Sequence, residues 1–313
     1  MGKTLPALLL LLASITAFSQ NVRRFEPLLL EGNLLESVSF LADDMVAGRA
    51  SGTPGSRLAE RYIAGRFKRA GLKPWRGFYT QSFRHGDSLV LRNVVGWIPA
   101  TEPCDSYIVV GAHYDHLGTI NGTIYNGADD NASGVAALIG LADLFGEMHR
   151  QGAGPSRNII FIAFDGKELN MAGSRHFLAR CGIHPRKIAA AINIDIIGSG
   201  LVPVGSSPDY MIMLGENTLP AKHRGYLTYL SKRVRYKMDV GLDFYGSRDF
   251  TRIVFQGGDQ RIFSDAGIPA VLFTSGFHHH TYKASDDTGI VDSDLLRKRT
   301  ILIFNFVNSI CQE

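Results

Sequence analysis

Residues 157–174 read RNIIFIAFDGKELNMAGS. From Ile159 to Phe164 the chain is apolar without interruption, which fits a strand buried on both faces. It runs into a polar turn, Asp165 to Glu168, and a short helix follows in SRHFLARC, residues 174–181. A strand of this kind followed directly by a helix belongs to a sheet that is covered on both sides.

The pattern repeats outward from this segment. SLVLRNVVGWIPA (88–100), SYIVVGAHYDH (106–116), KIAAAINIDIIG (187–198) and GIPAVLFTS (267–275) are β-branched runs bounded by turn residues. Helical periodicity appears in ASGVAALIGLADLFGEM (132–148), LPAKHRGYLTYLSKRV (219–234) and SDLLRKRTILIFNFVNSI (293–310). Two further helical segments, Leu34 to Met45 and Ser56 to Ala70, form a lead-in, with Gly71 placed as a C-cap. Apolar strands alternating with helices predict an α/β fold with a parallel or mostly parallel sheet between helical layers. The Gly-rich stretches 198–214 and 238–259 are expected to be loops over one end of that sheet.

The composition, 45% hydrophobic and 20% charged, is globular, and the net charge of +4 comes without a long basic run, which excludes a nucleic-acid footprint. MGKTLPALLLLLASITAFSQ has the form of a secretory signal peptide over residues 1–19, followed by one domain over 20–313. A retained anchor helix is the other reading of this leader. With the leader removed, no stretch is long and apolar enough to span a membrane, so a secreted or periplasmic protein is expected. Three widely spaced cysteines, Cys104, Cys181 and Cys311, do not suggest a disulfide framework and leave room for one bridge at most.

Polar residues gather at the carboxyl ends of the strands, where α/β sheets place their sites. His113 and Asp115 end one strand, Asp129 and Asp130 precede a helix, Glu168 follows the next strand, and Asp195 interrupts INIDIIG. Taken singly, each has an ordinary explanation: a hydrogen-bonded structural histidine, a helix cap, a satisfied buried acid. Together, imidazole and carboxylates arriving on successive strands suit metal ligation and metal-assisted hydrolysis.

The order of LADDMVAGRASGTPGS (41–56), GAHYDHLG (111–118), YNGADDNASGVAAL (125–138), FIAFDGKELNMAGS (161–174), INIDIIG (192–198) and AGIPAVLFTS (266–275) resembles the di-zinc aminopeptidases of peptidase family M28, which also contains glutaminyl cyclases. The resemblance implies a zinc-exopeptidase-like three-layer sandwich with a mixed, mainly parallel sheet. It also implies zinc as cofactor, one or two ions, and a peptide or aminoacyl substrate. His113 and Asp195 would hold one ion, Asp130 would bridge, Glu168 would hold the other, and Asp115 would orient His113. A cis peptide bond is expected after Asp130.

Members that cleave peptides carry two adjacent glutamates where this chain has Lys167 and Glu168, and the first takes a proton from the attacking water. A protonated lysine cannot; bringing its pKa from ~10.4 to 7 needs about 4 to 5 kcal/mol. Lys167 therefore has three readings: an unusual base, an exposed turn residue, or a fixed cation paired with Glu168 or Asp130. The remaining family ligand, a histidine, falls on Tyr282, four residues before Asp286, while His280 would share a face with Tyr282 if the segment were extended. The run His278, His279, His280 also reads as ordinary exposed loop. Relatives tend to have histidine at Gln260. The expectation is one tightly held zinc on His113, Asp130 and Asp195, in either an aminopeptidase or a silent relative that binds peptide N-termini or amines. Cyclase activity would also need the acid replaced by Lys167.

Overall fold

The computed structural model describes residues 22–201, 207–226 and 238–312. The leader lies outside them. Among the described residues no helix is long and apolar enough to cross a membrane.

Among the described residues, nine strands form the central sheet: β1 (Lys73–Pro74), β2 (Thr80–His85), β3 (Leu89–Ile98), β4 (Tyr107–His113), β7 (Asn158–Phe164), β8 (Ile188–Ile194), β9 (Tyr210–Leu214), β10 (Asp239–Gly241) and β11 (Ala270–Thr274). β5 (Gly118–Ile120) and β6 (Thr123–Tyr125) make a separate hairpin. The spatial order is β1-β3-β7-β4-β8-β11-β9-β10, with β2 beside β3. β7, β4, β8 and β11 run parallel. β3 joins β7, and β9 joins β11, in the antiparallel sense. The sheet is therefore mixed with a parallel centre.

Alternation along the central strands explains the two helical layers. Ile108 and Val110 of β4, with Ile159, Phe161 and Ala163 of β7, pack into a core shared with the helices Glu31–Leu41, Pro54–Arg69, Gly134–Arg150 and Ser293–Cys311. Their neighbours Val109, Ile160, Ile162 and Phe164 face a second core with Phe177 and Phe263, under the helices Ala172–Arg180 and Gln260–Asp265. Burying each of these large apolar side chains contributes roughly 1.5–3 kcal/mol, so both cores hold the sheet. Thr53 caps the Pro54–Arg69 helix at Ser56 N, and Gly71, at φ 84°, closes it as expected.

Three expectations need correction. The stretch 198–214 is not loop throughout, because YMIML, between Pro208 and Gly215, is a fully buried strand paired with β11. Within 238–259 the Arg248–Gln256 helix is capped by Ser247, and β10 pairs with β9. Tertiary pairing overrides the glycines and weak periodicity there. The Leu34 to Met45 helix stops at Leu41 and passes through Asp43 into a turn over Asp44–Arg49. Of the helix expected over 219–234, residues 221–226 are helical and 227–234 lie outside the described residues. Cys104, Cys181 and Cys311 are free.

Candidate metal centre

Three ligand atoms converge at the carboxyl ends of β4 and β8. His113, Asp130 and Asp195 each present one, all within 4.8 Å of one another. His113 Nε2 lies 3.1 Å from Asp195 Oδ1 and 3.4 Å from Asp130 Oδ1.

The donor chemistry tests whether a cation belongs there. His113 Nδ1 is 3.0 Å from the Asp115 carbonyl oxygen, which can only accept, so Nδ1 carries a proton. Nε2 then points at two carboxylate oxygens. Such an arrangement is stable only with a proton or a metal ion between them. Neither carboxylate oxygen of the fully buried Asp130 accepts a hydrogen bond, an expensive condition for a charged group unless a cation meets it. Burial opposes charge on His113, but Asp195 and Asp130 together raise the pKa well above the ordinary histidine range. Burial likewise disfavours Asp130 as an anion, yet Lys167 and His113 hold its pKa far below the usual carboxylate range. The three residues fit an N/O-ligated divalent ion such as zinc.

The backbone that aims them is pinned from several sides. The Asp130–Asn131 peptide is cis, as expected. Asn131 Oδ1 accepts from Gly134 N (3.1 Å) and Ile196 N (3.0 Å), and its Nδ2 donates to Ile194 O (2.9 Å), tying the helix start to the end of β8. Ile196, a β-branched residue at φ 55°, is held in the left-handed region next to Asp195. Asp286 accepts the N–H groups of Asp129 (2.8 Å) and Asp130 (3.0 Å). Burial, then Asp129, pushes its pKa up to about 7. Asp129 is not a helix cap: it accepts from Ser133 Oγ (2.9 Å), Gly198 N (2.6 Å) and His278 Nε2 (3.0 Å). The buried Arg49 guanidinium donates to the carbonyls of Tyr114, Asn126 and Gly127, locking the loops around the site.

The other side of the site is built differently. Lys167 Nζ lies 2.8 Å from Glu168 Oε1 and 3.1 Å from Tyr282 Oη, with its side chain only 8% exposed. Burial lowers its pKa, but Asp130, Asp195 and Glu168 together raise it well above the ordinary lysine range. Lys167 is thus largely buried, bonded to Glu168, with Asp130 as a longer-range charge partner. Tyr282 occupies the position expected for the missing histidine, at φ 60°, and burial followed by Asp130 raises its pKa to about 12. Glu168 is not among the converging ligand atoms.

His280 does not join the site. Its Nδ1 meets Ser285 Oγ at 2.8 Å, because the segment is turned rather than extended: Thr281 N bonds His278 O, and Lys283 N bonds His280 O. The histidine of this run that reaches the site's surroundings is His278, through Asp129. Asp115 orients His113 through its carbonyl, not its carboxylate, which lies 3.9 Å away. That carboxylate shapes the 167–168 turn instead, accepting from Lys167 N (3.0 Å), Glu168 N (3.2 Å) and Ser51 Oγ (3.1 Å). Burial, then Asp165, lifts its pKa to about 6. Gln260 ties β8 to its neighbouring helices, accepting from Asn193 Nδ2 (2.8 Å) and donating to Phe255 O (2.6 Å).

Arg49, Asn131 and His116 were missed from sequence. His116 is 2% exposed, both ring nitrogens lack a hydrogen-bond partner, and burial lowers its pKa to about 3. Its ring packs where a side chain at Gly127 would sit, and Gly127 has φ 59°. The signal was present in the motif HYDH, but only the first histidine ended a strand.

Comparison with known proteins places this geometry. The profile described as "Peptidase family M28" matches residues 93–307, which include every site residue above except Arg49 and Ser51. A Pyrenophora tritici-repentis protein described as a probable zinc metalloprotease is 27% identical over 63% of this chain and 49% of its own length. A Phaeosphaeria nodorum protein of the same description is 25% identical over 63% and 45%. The chain thus spans about half the length of these curated relatives. An aminopeptidase from Aneurinibacillus sp. strain AM-1 shares the fold with a TM-score of 0.70 at 14% identity, over 93% of this chain and 96% of that one. Porphyromonas gingivalis glutaminyl cyclase does so with a TM-score of 0.68 at 16% identity, over 90% and 98%. With a family match that runs from β3 into the C-terminal helix and encloses the converging triad, the chain belongs to peptidase family M28.

Proposed function

We propose that the protein holds a single zinc ion through His113, Asp130 and Asp195, recognises the N-termini of peptides, and hydrolyses them slowly or not at all. The observation that carries this reading is the Lys167 ammonium, enclosed between Glu168 and Tyr282. Zinc, when bound, supplies a Lewis acid that can polarise a carbonyl and activate water. Proton transfer must come from the protein, and here the residue at that position has no lone pair. Asp130 and Asp195 hold it protonated, opposite to what a base needs. Glu168 is engaged by the same ammonium through Oε1, and in this reading its other oxygen receives a peptide's amino group. The charges balance without a second metal ion: three carboxylates against one lysine and one divalent ion. In this reading the apolar leader exports the protein to that task.

Aminopeptidase turnover is the second reading, favoured by the complete His113–Asp130–Asp195 triad. Zinc content by elemental analysis, paired with hydrolysis of an aminoacyl chromogenic substrate, separates the two. At most one zinc per chain and no chelator-sensitive turnover are expected of the native protein. Strong native turnover abolished by a chelator would sink the proposal.

A further inference from the structure

A groove of about 610 Å³ adjoins the site on the Glu168 side, lined among others by Arg84, His85, Glu168, Asn170, Arg175 and His176. Its floor is apolar and fixed. Phe83 of β2 packs with Leu91 and Ala172, and the His176 ring stacks on Phe83 at 4.2 Å and 7°. One wall is the loop leaving Glu168, where Asn170 (φ 59°) and Met171 (φ 58°) are both held in the left-handed region, a conformation that non-glycine residues adopt only under local constraint. Arg175 Nε donates to Asn170 O at 3.0 Å, which anchors the exposed guanidinium to this loop.

The charge of the groove is one-sided. Among the described residues neither Arg84 nor Arg175 has a carboxylate partner; Arg84 reaches only the Asp87 carbonyl, at 3.5 Å. Glu168 is the one acid in the lining, and Lys167 already neutralises it at 2.8 Å. A ligand lying here would touch Glu168 at one end and two unpaired guanidinium groups further along. Carboxylates suit those groups through bidentate geometry.

We propose that this groove binds an acidic segment of a peptide, with Arg84 and Arg175 receiving its carboxylates downstream of the N-terminus. The proposal rests on the N-terminus-binding reading for the direction in which the peptide lies, but its charge preference is separable from it. The test uses fluorescence anisotropy with the zinc-loaded native chain and its Arg84→Ala/Arg175→Ala variant. Three short labelled peptides are compared: an Asp/Glu-rich one with a free amino terminus, its Asn/Gln counterpart, and an N-acetylated form of the acidic one. The native chain should bind the acidic peptide roughly five- to tenfold tighter than the amide version, as expected for two exposed ion pairs. That ratio should fall to near one in the variant and shrink at high salt. Equal affinities for the acidic and amide peptides, or a preference that survives in the variant, would overturn the groove proposal. Acetylation separates the two ideas: an amine requirement without acid preference defeats only the groove, and acid preference indifferent to acetylation defeats only the N-terminal reading.

Discussion

The two halves of the candidate site sit side by side and solve the same electrostatic problem in opposite ways. On one side His113, Asp130 and Asp195 bring three ligand atoms together, where only a titratable proton on His113 Nε2 or a metal ion can stand between the imidazole and the carboxylates. On the other, Glu168 has a lysine ammonium at 2.8 Å, backed by the Tyr282 hydroxyl. The first half depends on an exchangeable cation, whereas the second carries its own. A covalently attached charge cannot dissociate, so it stabilises the acidic site at all times, but it also cannot lose a proton easily or activate water. In the reading proposed above, the comparison separates metal binding from turnover.

The strongest way to break that comparison is to remove a ligand from each side. His113→Ala should weaken zinc binding by at least about 100-fold, since loss of an outer partner alone typically costs 10- to 100-fold. Glu168→Gln should change it less than about threefold, because its carboxylate is engaged by Lys167 rather than by the triad. Competition against a chromophoric chelator reads both. Equal losses in the two variants would mean that Glu168 shares the ion and that Lys167 moves aside when it binds.

A second test sharpens the role of the lysine as a built-in cation. Lys167→Met should destabilise the metal-free protein by about 1–3 kcal/mol, the cost of leaving a partly buried acid without its partner. Urea unfolding with and without zinc measures it. The loss should shrink when zinc is present, since the ion relieves part of the repulsion among Asp130, Asp195 and Glu168. No destabilisation in the metal-free protein would show that the ammonium is incidental.

How much of this arrangement could be read from the sequence follows the range of the interactions involved. Asp129 and Asp130 both precede the same helix and the choice of Asp130 came from the family resemblance, whereas His113 and Asp195 stood out because each ends or interrupts a continuous apolar run. The central parallel strands were legible for the same reason. β2, a polar edge strand reading TQSFRH, gave no such signal, and β9 was hidden among glycines although its five residues are fully buried. Choosing between His278 and His280 required a turn that ends with Tyr282 in the left-handed region, and a partner, Asp129, far away in the chain. Local pattern contains neither. Asp115 illustrates the same limit, because its spacing from His113 is right while its carboxylate is drawn to backbone N–H groups of another loop.

The smallest expected effect tests the least conspicuous part of the second half. Tyr282 does two things for Lys167: its hydroxyl accepts a hydrogen bond at 3.1 Å, and its ring stands 5.2 Å from Nζ. Tyr282→Phe removes the first and keeps the second, so it should cost only about 0.5–1.5 kcal/mol and leave zinc stoichiometry unchanged. Tyr282→His instead offers a new imidazole, yet with Lys167 in place the second cation position is still taken, so stoichiometry should again remain at one. Only Lys167→Glu combined with Tyr282→His removes the fixed charge and supplies both a base and a ligand. Elemental analysis of the three variants decides the matter: a second zinc ion in Tyr282→His alone would show that the ammonium does not hold that place, and a second ion confined to the double variant would show that it does.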